Sequence, residues 1–103
     1  MSAVPRLSML SQSALVELAS LRERRPQEPL FDLSEGGFGV LSAAPLRAGT
    51  LTLATLWLPG EPAPFDVIVR VAWRERRSMG LQFILPDDAL VEAIRRLCRA
   101  LAA

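Results

Sequence analysis

The stretch FDVIVRVAW, residues 65–73, alternates at period two: Phe65, Val67, Val69, Val71 and Trp73 share one face, with Asp66 and Arg70 among the residues on the other. This spacing predicts a half-buried β-strand, the strongest in the chain. The polar loop RERRS at 74–78 follows, then GLQFIL at 80–85, so the second run is expected to return antiparallel to the first. Upstream, LTLATLWL at 51–58 alternates less cleanly, but its threonine, leucine and tryptophan content suits a strand, and Pro59-Gly60 stops it. Weaker strand signals cover 14–19, 29–33 and 38–42. Six short strands separated by loop signals imply a small antiparallel barrel or curled sheet, not alternating βαβ units.

After Pro86 the period changes. Asp87 suits an N-cap, Asp88 complements the helix N-terminus, and Leu90, Ile94, Leu97 and Leu101 recur at helical spacing. A terminal helix over 87–102 is predicted, with that stripe buried and Glu92 paired to Arg96 at i, i+4. Cys98 beside the stripe reads as a small buried hydrophobe. The 103 residues are expected to form one domain: a flexible N-terminal segment over 1–13, a β-barrel over 14–85 and the helix.

Composition removes several functions. All 12 basic residues are arginine, against 11 acidic ones, for a net charge of +1, and histidine is absent. Without histidine the commonest general base and metal ligand is missing, and without lysine so is Schiff-base chemistry. Asp87 and Asp88 are adjacent in sequence and do not face one another. No catalytic residue, metal site or cofactor is expected, and the chain is read as not an enzyme. The near-neutral charge argues against a nucleic-acid polymer as partner. One cysteine fits a reducing compartment, and neither a signal peptide nor a membrane-inserting run is read, so a cytoplasmic location is expected.

The segment FDLSEGGF, residues 31–38, carries the most chemical information. Residues i and i+2 of an extended backbone point the same way, so Asp32 and Ser34 can face one ligand together. Gly36 and Gly37 allow positive φ and close backbone approach. The competing reading is a tight connection in which Asp32 and Ser34 hydrogen-bond their own backbone. Trp57 and Trp73, in apolar-patterned strands, read as core or partly buried platform, with base stacking the alternative. Arg74, Arg76 and Arg77 read as a solvated hairpin loop.

Asp32-Leu-Ser34-Glu-Gly-Gly37 resembles the DxSxxG motif of PilZ domains, and Gly80-Leu-Gln-Phe83 resembles that family's late Gly-hydrophobic-x-Phe strand. The order also agrees from about residue 6 to the end: a strand, an arginine-rich turn, DxSxxG, strands ending in Val-x-Trp, GLQF and a terminal helix. The resemblance implies a six-stranded antiparallel PilZ-like β-barrel with a C-terminal α-helix. It also implies cyclic di-GMP as ligand, with Arg6, Asp32, Ser34, Gly36 and Gly37 as ligand-binding residues. Such receptors usually carry an RxxxR pair before the first strand. Here Arg6-Leu-Ser-Met-Leu10 keeps the first arginine and replaces the second with leucine. Arg22-Glu-Arg24-Arg25 follows the first strand at another spacing and does not substitute.

Two readings follow. In one, the chain is a cyclic di-GMP receptor or effector acting through contacts with a protein partner in bacterial motility, exopolysaccharide or developmental control. In the other, it is a PilZ-fold adaptor that no longer binds the nucleotide and works only through protein contacts.

Overall fold

A computed structural model describes residues 7–8, 14–20 and 25–102. Among the described residues seven strands precede one helix: β1 (Leu7–Ser8), β2 (Leu15–Leu18), β3 (Gln27–Ser34), β4 (Gly37–Leu41), β5 (Leu51–Trp57), β6 (Phe65–Arg74), β7 (Ser78–Ile84) and α1 (Asp88–Ala102). All pairings are antiparallel. β3, β2, β5, β6, β7 and β4 follow one another around the sheet, and β4 pairs back onto β3, closing a six-stranded barrel. Among the described residues, closure leaves no long unpaired strand edge. β1 lies outside the ring, pairing Leu7 with Leu33 and Ser8 with Asp32 on β3.

The inward residues follow the period-two reading. Val67, Val69 and Val71 of β6, Leu81 and Phe83 of β7, and Ala54 and Leu56 of β5 are buried in one core with residues of β2, β3 and β4. On β5 the small Ala54 points inward, leaving Leu51 and Leu53 exposed, which explains the imperfect alternation of that run.

Trp73 departs from its expected face. The β6–β7 register shifts between Val71, opposite Leu81, and Trp73, opposite Gly80. This bulge inserts Ala72 and turns Trp73 to the outside, 38% exposed.

Helix α1 joins the barrel core through Leu90, Ala93, Ile94 and Leu97 and pairs Arg95 with Glu35 of the β3–β4 turn and Arg96 with Glu61 of the β5–β6 connection. The Leu90 amide donates to Asp87 Oδ1 at 2.9 Å, confirming the cap. Leu90, Ala93, Ile94 and Leu97 are buried, but Leu101, expected to be buried with them, is 41% exposed and lies outside the core cluster. Arg96 pairs with Glu61 at 3.1 Å instead of Glu92, which engages Arg99 at 3.2 Å and Arg95 at 3.8 Å. Long-range partners on the β5–β6 connection thus displace the local i, i+4 pair. Buried Arg25 donates through Nη2 to Glu28 Oε1 (3.1 Å) and the Ala44 carbonyl (3.0 Å), linking the approach to β3 with the β4–β5 loop. No helix of the described residues is long and apolar enough to cross a membrane.

Candidate functional site

Asp32 and Ser34 both face outward near the end of β3, as the i, i+2 spacing predicts, and both line an open groove of about 360 Å³ on the barrel wall. Gly36 and Gly37 line it as well. Arg6, the remaining sequence-predicted site residue, and Leu10 lie outside the described residues. Arg25 is no surrogate clamp, because its guanidinium is buried against Glu28.

The β3–β4 hairpin pairs Ser34 with Gly37 across a two-residue turn of Glu35 and Gly36. Neither turn residue nor Gly37 adopts positive φ, contrary to the expectation for the two glycines. Close approach is what Gly37 requires, since a Cβ there would collide with the Leu81 carbonyl on β7. The Gly36 amide donates to Ser34 Oγ at 3.3 Å, and the Gly36 carbonyl accepts from the Phe83 amide at 3.0 Å. Ser34 therefore does take part in turn chemistry while its side chain borders the groove.

Two further glycines form the floor. Gly39 on β4 and Gly80 on β7 are directly paired. A Cβ at Gly39 would strike the Phe31 ring and approach Asp32 Oδ1, and one at Gly80 would strike the Trp73 indole. Each glycine thus admits an aromatic ring onto the sheet surface, and the rings meet with centroids 6.4 Å apart at 52°. A second register irregularity, between Leu30 and Asp32, accompanies the outward placement of Phe31. The groove combines a carboxylate, a hydroxyl, glycine backbone and a half-exposed indole. Such a set can accept hydrogen bonds from a purine edge and stack on its face.

Phe31, Gly39, Gly80 and Gln82 are not site residues in the sequence reading, where Trp73 enters only with base stacking as the alternative to a core or platform role. The Val-x-Trp ending and GLQF were visible, but their meeting depends on the bulge and on the β4–β7 register.

The turn also reaches the helix. Glu35, inside the DxSxxG segment, accepts from Arg95 of α1 at 2.9 Å. That hydrogen bond and the charge of Glu35 hold the Arg95 guanidinium still more firmly protonated. Burial first, then the nearby Glu35 charge, pushes the Cys98 thiol above its ordinary value. Cys98 is consequently a poor nucleophile at neutral pH.

Comparison with known proteins supplies the lineage. Among curated proteins none matches the sequence. The structure is similar to the Bacillus subtilis inhibitor of motility MotI/DgrA, with a TM-score of 0.76 and 16% identity over 99% of this chain and 51% of that one. It is similar to Escherichia coli YcgR in complex with cyclic di-GMP, at TM-score 0.72 and 19% identity over 94% of this chain and 44% of that one. The isolated YcgR PilZ domain with cyclic di-GMP matches at TM-score 0.70 and 17% identity, over 94% of this chain and 88% of that one. The chain thus spans about half the length of the motility inhibitor and less than half of full YcgR. At these identities the likeness is one of fold. The family model for the PilZ domain matches residues 10–100, and the chain belongs to that family.

Proposed function

We propose that this PilZ domain binds cyclic di-GMP in the glycine-floored groove and passes the signal on through protein contacts, in control of motility, exopolysaccharide or development. The observation that carries the reading is the convergence of Asp32, Ser34 and Trp73 around one groove, when only the first two are close in sequence. Asp32 accepts from the N1 and N2 edge of guanine, Ser34 adds a hydroxyl beside it, and the Trp73 indole offers a stacking face. Arg6 is assigned to the phosphates, with half the usual arginine pair. YcgR in complex with cyclic di-GMP supports the ligand class, and the motility inhibitor of like fold supports the signalling role. We place the domain in the cytoplasm and assign it no catalysis.

The adaptor reading has its own observation. Leu53 on β5 pairs with Ile68 on β6, which pairs with Ile84 on β7, and Leu51 and Leu85 lie near the two ends of this outward row. Leu51, Leu53, Ile68 and Leu85 are all exposed, Leu85 at 93%. A contiguous apolar row of this kind suits a protein contact.

Calorimetric titration of the domain with cyclic di-GMP separates the readings. Binding is expected, weakened at least tenfold in Asp32→Ala with the melting temperature little changed. Ser34→Ala is expected to weaken it too, with a stability loss of about 0.5–1.5 kcal/mol from the turn hydrogen bonds. Absence of binding by the wild-type chain leaves the adaptor.

A further inference from the structure

The groove over Gly39 and Gly80 continues past Trp73. A second depression of about 420 Å³, lined by Ala48, Gly49, Arg70, Val71, Ala72 and Gln82, adjoins it, and Ala72 and Gln82 line both. Arg70 is its one charged residue. Among the described residues Arg25, Arg95, Arg96 and Arg99 each hold a glutamate, whereas the exposed Arg70 side chain engages no acid and no hydrogen-bond acceptor. An unpaired arginine beside a groove remains available to an anion.

The register sets its position. Ser34 faces Gly37, Gly37 faces Gln82, and Gln82 faces Arg70, so one outward row crosses four strands. Three strand spacings amount to about 14 Å, less on a curved wall. The long arginine side chain can cover much of that span. A phosphate held at Arg70 and Gln82 would therefore lie within reach of a base at Asp32, Ser34 and Trp73.

We propose that Arg70, with Gln82 beside it, forms an anion subsite that takes a phosphate of the bound nucleotide. The proposal rests on the nucleotide reading above. The guanidinium fork matches two phosphate oxygens, and the Gln82 amide can donate a further hydrogen bond. Arg70 would supply from β6 the second arginine contact that Leu10 does not supply from the N-terminal segment. The competing view is that Arg70 only lays its stem over the neighbouring Leu51 and stays solvated.

The test uses Arg70→Ala, Arg70→Lys and a charge-matched control, Arg76→Ala, on the β6–β7 hairpin outside both depressions. Cyclic di-GMP affinity is expected to fall tenfold or more in Arg70→Ala, to recover in part in Arg70→Lys, and to change less than about threefold in Arg76→Ala. Unchanged melting temperatures are expected, since Arg70 holds no partner. Equal losses in Arg70→Ala and Arg76→Ala would reduce the effect to general electrostatics and overturn the subsite, as would an Arg70→Ala variant that binds like wild type. Inorganic pyrophosphate followed by amide NMR tests the subsite without a nucleotide. Shifts at Gly49, Ala72 and Gln82 that vanish in Arg70→Ala support it, even if cyclic di-GMP itself fails to bind and the nucleotide reading falls. No pyrophosphate shift at those amides overturns it, whatever cyclic di-GMP does.

Discussion

A methyl group at Gly80 would occupy the space of the Trp73 indole, and one at Gly39 the space of the Phe31 ring. Both glycines sit in strand interiors, where glycine ordinarily costs about 0.5–1 kcal/mol relative to alanine. They are tolerable here because each is covered by an aromatic ring from a neighbouring strand. The cover also fixes the ring, so the indole face is held at a set height above the groove floor. Gly80→Ala is therefore expected to displace Trp73, shift its indole N–H resonance and weaken nucleotide binding. Overpacking of this kind costs about 1–3 kcal/mol, which leaves a folded domain in which to measure the effect. An unmoved indole resonance would mean that the contact is soft and that Gly80 does not set the platform.

The elements show where sequence patterning carries through and where it stops. Strand β6 follows its period-two reading up to Val71 because each inward valine has a core to enter. It fails at Trp73, since a bulge is a property of pairing with β7 and leaves no mark on β6 alone. Asp32 and Ser34 were legible because their common direction depends on one strand only. Gly39 and Gly80 were not, because two glycines 41 positions apart acquire meaning only through the β4–β7 register. In α1 the stripe was legible but its end was not, for helical period does not say where the tertiary contacts stop. This gives a contrast within one helix. Ile94, fully buried, is expected to lose about 2–5 kcal/mol as Ile94→Ala, while Leu101→Ala should stay within about 0.5 kcal/mol in a denaturant titration. Comparable losses at both sites would mean that the last helical turn is packed in solution.

At the scale of the whole molecule, a net charge of +1 conceals an uneven distribution. Glu28, Glu35, Glu61 and Glu92 are taken up by Arg25, Arg95, Arg96 and Arg99, while Arg47, Arg70, Arg74, Arg76 and Arg77 hold no ion pair among the described residues. These five lie on the β4–β5 loop, β6 and the β6–β7 hairpin, where they outnumber the acids of the same elements, Asp66 and Glu75. The chain also closes on itself: β1 pairs Ser8 with Asp32, and Ser8 stands midway in sequence between Arg6 and Leu10. A substitution at residue 10 consequently tests the N-terminal segment against the groove. Leu10→Arg recreates RxxxR with Arg6 and is expected to tighten cyclic di-GMP binding about tenfold or more, a restored bidentate phosphate contact being worth at least about 1.4 kcal/mol. GMP, which lacks the second guanine and the cyclic diphosphate, should gain little. If Leu10 packs on the barrel, the arginine instead lowers the melting temperature and leaves affinity unchanged. A folded Leu10→Arg variant with no gain would show that the segment does not deliver residue 10 to the phosphates. If the wild-type chain then also failed to bind the nucleotide, the adaptor reading would take precedence.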